Sequence, residues 1–237
     1  MTEHVIQSSS VACQRKVWLL DATTAAPTQC AIFLDGEFYV HRMAAPPLIH
    51  DMQAGGRLPP TLCLFVSHGS NSARHHDLTC SADFAQFIAR DVIAWLRARH
   101  PTLAEGGHFI AGPSLGGLQA AFITLTHPGV FTRCLSQSGS FWWEDERLTR
   151  MLVEKGMPSS HSKFWISVGD RETKADVKHT PSSLHQKMSQ IESCEHFASA
   201  LDAHRHEVRY SVHGGAHEFQ PWADELPEAL AWLLCGV

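Results

Sequence analysis

The sequence predicts an α/β fold: a mostly parallel central sheet with helices on both faces and a short N-terminal β-hairpin. Three observations predict it. Strand-like runs alternate with helix-like runs along most of the 237 residues. The run 61–66 (TLCLFV) is apolar in the continuous way of a strand covered on both faces. A glycine-rich serine segment, Gly112 to Gly116, joins a short apolar strand to a helix.

The elements follow in order. Residues 5–7 and 16–20 form the hairpin. Residues 29–34 form a strand ended by the turn residues Asp35 and Gly36. The Pro- and Gly-rich stretch 46–60 reads as a loop. After the strand 61–66, Ser81 caps a helix whose apolar residues Phe84, Phe87, Ile88, Val92, Trp95 and Leu96 recur at helical spacing until Pro101. A strand at 107–111 runs into the serine segment, and 118–126 is helical up to His127-Pro128-Gly129. Strands at 133–136 and 163–168 end in turns at Ser138-Gly139 and Gly169-Asp170. Residues 171–190, polar and containing Thr180-Pro181-Ser182-Ser183, read as a long loop. A helix at 192–204, a strand at 207–212 and a helix at 227–234 complete the chain. No repeat or linker interrupts the pattern, so residues 1–237 are expected to form a single domain.

Composition excludes several classes. With 19 basic and 24 acidic residues the chain lacks the basic balance of a nucleic-acid binder. No run of about 18 apolar residues predicts a membrane span. The first residues lack the apolar stretch of a secretory signal, so the expected address is the cytoplasm. The seven cysteines are widely spaced without a CxxC pair and are expected to be reduced. The 17 histidines include the clusters 204–207 (HRHE) and 74–77 (RHHD), but neither matches a zinc pattern, and no metal is expected.

Gly112-Pro113-Ser114-Leu115-Gly116 matches G-x-S-x-G. In the α/β-hydrolase fold this segment makes a strained strand-to-helix turn that exposes the serine, and only small neighbours let the backbones approach. Ser114 is thus the expected nucleophile, with the Leu115 N–H as one oxyanion donor. The general base is expected after the last strand, where His213 and His217 both stand. His217 is favoured because it lies beyond Gly214 and Gly215, in a turn that can bring the ring over the sheet edge. The acid is expected after the preceding strand, where Asp170, Glu172 and Asp176 are all available and spacing alone does not choose.

Six segments together resemble the enterochelin (ferric siderophore) esterase family. They are LDGEF at 34–38, RHHDLTCSADF at 74–84, AGPSLGGLQAA at 111–121, SQSGSFWW at 136–143, GDRE at 169–172 and GGAH at 214–217. The resemblance implies hydrolysis of catecholate siderophore esters with release of iron, by a catalytic domain lacking the N-terminal domain of two-domain members. It implies Ser114 as nucleophile, His217 as base, Glu172 as acid, and the backbone N–H of Glu37 as the second oxyanion donor. Arg74 matches an arginine of the family's R-x-x-E-L run, with Asp77 at the acidic position. Arg74, His75 and His76 would make a cationic patch suited to an anionic catecholate, or Arg74 would pair with Asp77. Phe141, Trp142 and Trp143 could stack on catechol rings, with core packing an equal reading for at least one of them. The expected partner is a small-molecule ester such as a ferric catecholate siderophore, without nucleic acid, membrane or cofactor. A general carboxylesterase or acyltransferase on this scaffold is the alternative.

Overall fold

The computed structural model describes residues 1–9, 11, 13–155, 161–179 and 184–235. From edge to edge, one sheet runs through β1 (Thr2–Gln7), β2 (Gln14–Leu20), β4 (Thr61–Val66), β3 (Gln29–Phe33), β5 (His108–Pro113), β6 (Phe131–Gln137), β7 (Lys163–Gly169) and β10 (Glu207–His213). β1 pairs antiparallel with β2, and β2 antiparallel with β4. The remaining pairings are parallel. This is the α/β-hydrolase architecture, with the N-terminal hairpin built into the main sheet.

Every residue of β4 is buried. Leu62, Leu64 and Val66 face one apolar layer, Cys63 and Phe65 the other. The first layer includes Leu118 and Ile123 of α6 (Leu115–Thr126) and Phe197 of α8 (Gln190–Ala203). The second includes Ile49 and Met52 of α2 (Ala45–Ala54) and Trp222, Leu226 and Leu230 of α9 (Phe219–Cys235). Strand order reverses at β3, since β4 follows it on one side and β5 on the other. Such a switch point opens a crevice at the carboxyl ends of the strands, where ligands bind in open α/β sheets.

Several expectations are corrected. The stretch 46–60 is not a loop along its whole length: α2 occupies its first half, with Pro46 and Pro47 in the first turn, where a helix needs no N–H donor. Helices α1 (Gly36–His41), α3 (Asn71–Asp77) and α7 (Trp143–Lys155) were not anticipated. The helix after Ser81 is α4 (Ala82–Gln86), passing through a π-helical stretch, Phe87–Val92, into α5 (Ile93–Arg99). Residues 171–190 hold a small antiparallel hairpin, β8 (Val177–His179) with β9 (Leu184–Gln186). Thr180-Pro181-Ser182-Ser183 lie outside the described residues. α8 starts at Gln190 rather than 192, because Ser189 and Glu192 close a capping box. α9 starts at Phe219 and carries Pro227 inside it, its apolar stripe being buried on both sides of the proline.

Candidate active site

β5 delivers the chain to Ser114, and α6 starts at the next residue. Ser114 has φ 57° and ψ −122°, a conformation that side-chain-bearing residues rarely adopt. Hydrogen bonds on both sides hold it there. The Ser114 N–H donates to the Gln137 carbonyl at 2.8 Å, and the Ser140 N–H donates to the Ser114 carbonyl at 3.1 Å. A Cβ on Gly112 would overlap the Gly116 backbone, so glycine is required for the turn to close. Leu115 begins the 12-residue helix α6, and its N–H lies in the first turn, where a helix carries positive partial charge.

The acid and the histidine come from two neighbouring strand ends, since β7 and β10 pair in parallel register. His217 Nδ1 lies 2.6 Å from Glu172 Oε2. The other carboxylate oxygen, Oε1, accepts from Ser138 Oγ at 2.6 Å and from the Gly169 N–H at 2.9 Å. Burial pushes the Glu172 carboxyl up, but His217, Ser138 and Gly169 together hold it below the usual value of 4.5. The remaining acidic residues of this loop are engaged elsewhere. Asp170 accepts from the Gly215 N–H, and Asp176 is exposed and pairs with His185. His213 has both ring nitrogens buried without a hydrogen-bond partner among the described residues. The His217 ring meets Trp222 edge-on at 4.9 Å. Among the described residues the hydrogen-bond partner of Ser114 Oγ is Ser140 Oγ, at 3.3 Å, and not His217. Ser114 and His217 nevertheless line one cavity of about 310 Å³, together with Glu172.

The loop after β3 approaches the serine turn from the other side. Asp35, at φ 54°, precedes α1, and Glu37 sits in the first turn of that helix. A Cβ on Gly116 would fall 3.0 Å from Asp35 Oδ2, so the start of α1 lies against the start of α6. The Glu37 side chain turns to Ser67, His68 and the His68 N–H.

Of the anticipated cationic patch, Arg74 lines a cavity beside Ser114. Arg74 donates to both carboxylate oxygens of Asp35, at 2.8 and 2.6 Å, and not to Asp77, which pairs with Arg15 and His76. Its charge is thus matched by a buried carboxylate. The His76 side chain is 74% exposed and directed at Asp77, while its neighbour His75 lines the larger cavity beside Ser114. Consecutive positions on α3 point roughly 100° apart around the helix axis, which separates the two histidines. Trp142 and Trp143 line that cavity, of about 860 Å³, whereas Phe141 stacks on Phe197 in the core at 4.0 Å. Trp142 is shared by both cavities and stacks on His179 at 5.0 Å and 6°.

Residues without an assigned role in the sequence reading also converge here. Arg171 and Lys174, both exposed, line the smaller cavity with His179 and Gln190. Gln190 accepts from Trp142 Nε1 at 2.6 Å and donates to the Ser138 carbonyl at 2.7 Å. Their signal in the sequence was weak, because charged and amide residues in a polar run look like solvated loop. All seven cysteines are free. Among the described residues no cluster of three metal-ligating side chains occurs, and no helix is long and apolar enough to cross a membrane.

The model of the Esterase family, described as "Putative esterase", matches residues 8–233. The iron(III) enterobactin esterase of Escherichia coli strain K12 is 31% identical over 144 residues, covering 60% of this chain and 36% of that protein. The iron(III) enterobactin esterase of Dickeya dadantii is 26% identical over 242 residues, covering 94% of this chain and 52% of that protein. The chain thus spans about a third to a half of the length of these relatives. The enterobactin esterase of Shigella flexneri, crystallised in the presence of enterobactin, superposes with a TM-score of 0.86 at 23% identity, over 99% of this chain and 58% of that one, which shows a common fold.

Proposed function

Because the chain belongs to the Esterase family, we propose that it is a serine esterase acting on the ester bonds of a catecholate siderophore, through an acyl-enzyme on Ser114. The observation that carries this reading is the 2.6 Å contact of Glu172 with His217, in a cavity that Ser114 also lines on its strained turn. The names of the matched relatives supply the substrate class.

In this reading the Ser114 hydroxyl leaves Ser140 and turns to His217 when substrate enters. Ser114 Oγ attacks the ester carbonyl as His217 Nε2 takes its proton. Glu172 fixes the tautomer with the proton on Nδ1 and stabilises the imidazolium. The Leu115 and Glu37 N–H groups hold the oxyanion, each worth about 3 kcal/mol in the transition state. His217 then protonates the leaving alkoxide, and the alcohol departs. Water, deprotonated by His217, attacks the acyl-enzyme and frees Ser114 and the carboxylic acid. Cleaving the ester backbone of a ferric chelate would weaken its hold on iron, and this is the iron release proposed here. Seven free thiols suit a cytoplasmic address, where thiols stay reduced.

Trp142, Trp143 and His75 supply an aromatic and imidazole wall in the larger cavity, and Arg171 and Lys174 supply positive charge at the smaller one. An aromatic anion fits that combination. The test is incubation of the purified chain with ferric enterobactin, iron-free enterobactin and a neutral aryl ester, with products resolved by liquid chromatography. Serine-linked catecholate fragments, formed faster than aryl ester hydrolysis at equal concentration, support the reading. Turnover of the aryl ester alone would keep the esterase and remove the siderophore.

A further inference from the structure

The segment Ser136-Gln137-Ser138-Gly139-Ser140-Phe141-Trp142-Trp143 contains more polar groups than the proposed chemistry uses. It begins with the last two residues of β6, the strand between the one that ends at the serine turn and the one that leads to the acid. Its backbone grips Ser114 twice, through the Gln137 carbonyl and the Ser140 N–H. Its third residue, Ser138, is fully buried and has φ 46°.

The hydrogen bonds of Ser138 fix where its single proton points. Ser138 Oγ accepts from Trp222 Nε1 at 3.0 Å, and an indole N–H can only donate. The Ser138 hydroxyl then donates to Glu172 Oε1 at 2.6 Å. The backbone around it is pinned as well. The Ser138 N–H donates to the Ser167 carbonyl at 2.7 Å, and the Ser138 and Gly139 carbonyls both accept from Gln190 Nε2. Gly139 packs so closely that a Cβ there would strike Ser136 Oγ and the Phe141 ring. The same Trp222 indole also meets the His217 ring edge-on.

We infer that Ser138 is a positioning residue of the active site: its hydroxyl, oriented by Trp222, holds the Glu172 carboxylate in the rotamer that presents Oε2 to His217, and its segment ties that carboxylate to the serine turn. The inference rests on Glu172 and His217 acting as proposed above. Its physical basis is that a buried carboxylate has two oxygens to satisfy and several rotamers to choose from. A charge-assisted hydrogen bond from a rigid donor selects one of them.

The positive φ of Ser138 makes glycine the informative substitution. Ser138→Gly deletes the hydroxyl while easing the strained backbone, so a serine with a merely structural role would lose stability through the unpaired Trp222 N–H and keep its kcat. The expected result for Ser138→Gly on a neutral aryl ester is a kcat lowered about ten-fold, the scale of a hydrogen bond to a charged group, with KM within about two-fold. In a Glu172→Gln background the same change should alter kcat by less than about two-fold, because the two residues act as one unit. Trp222→Phe, which removes the indole donor and keeps the ring, should lower kcat in the same direction and lose its effect in the Glu172→Gln background. It provides the test if the glycine variant does not fold.

Wild-type kcat in folded Ser138→Gly, with Glu172→Gln strongly impaired, would overturn the inference and leave the proposed function standing. Effects that multiply in the double variant would overturn it too, showing that Ser138 acts independently of Glu172. Full activity in Glu172→Gln would overturn both the inference and the role of the acid, and full activity in Ser114→Ala would remove the serine mechanism itself.

Discussion

Arg74 holds Asp35 through two nitrogens, Nε at 2.8 Å and Nη2 at 2.6 Å, across 39 residues of sequence. The Asp35 side chain is wholly buried, and Asp35 stands at the start of the helix that carries the proposed Glu37 donor. The pair therefore ties the proposed oxyanion loop to α3, which carries Arg74. Removing Arg74 leaves the buried Asp35 carboxylate with His68, at 3.1 Å, as its remaining ion-pair neighbour among the described residues. Arg74→Ala is predicted to cost about 3 kcal/mol of stability, read from urea unfolding, because breaking a buried ion pair costs more than the pair contributes. It should also lower kcat more than it raises KM. A rise in KM alone would assign Arg74 to substrate binding instead.

Beside this pair, His68 Nδ1 lies 3.1 Å from Asp35 and 3.2 Å from Glu37, within ion-pair distance of both but not aligned for a hydrogen bond. Asp35 and then Glu37 raise the His68 imidazole from 6.5 to about 9. Burial alone would raise the Glu37 carboxyl, but His68 and Ser67 bring it down to about 2. The two shifts act at opposite ends of the pH scale. The His68 contribution is complete below pH 6.5 and fades as pH rises through about 9. The Glu37 contribution is complete above pH 4.5 and fades as pH falls through about 2. Urea midpoints should therefore decline between pH 6.5 and 9 in the wild type, with a flatter profile in His68→Gln. Parallel profiles for the two proteins would contradict this.

Glu172→Gln keeps the shape of the acid and removes its charge. The account predicts a folded protein with kcat lowered roughly 10²- to 10⁴-fold, as in other sites where the group that orients the histidine is neutralised. Equivalent changes at Asp170 and Asp176 should leave kcat within a few-fold, since one accepts from Gly215 and the other pairs with His185.

How much of this was legible in the sequence differs residue by residue. Ser114 was legible because its turn demands a fixed pattern of small residues between a strand and a helix. His217 was favoured over His213 for the glycines before it, and its ring does reach Glu172. The choice among three carboxylates was not legible from spacing, because it depends on the register of β7 against β10 and on where the Gly169 N–H points. For Arg74 the sequence leaves a substrate-facing patch and a pair with nearby Asp77 both open; its partner Asp35, 39 residues away, leaves no local trace. Helix α2 was hidden by its own prolines, which mark loops in general but are tolerated in a first helical turn. The strand order was implied by alternation only as a class. The placement of β3 between β4 and β5 comes from the three-dimensional pairing.

Positive charge at the smaller cavity gives a prediction about substrate. Replacing Arg171 and Lys174 together with alanine should raise KM for an anionic catecholate ester by about five-fold and leave a neutral aryl ester almost unchanged. Exposed charges contribute on this modest scale, and the difference should shrink as salt is added. An equal effect on both esters would point to a distorted loop rather than to lost charge.

Covalent labelling asks whether Ser114 is an activated nucleophile. The wild type would be treated with a fluorophosphonate, digested and mapped by mass spectrometry alongside folded Ser114→Ala and His217→Ala. The account predicts a single adduct on the peptide containing Ser114, absent from Ser114→Ala and formed far more slowly in His217→Ala. Folded wild-type protein that takes up no label, or an adduct that persists in Ser114→Ala, would contradict it.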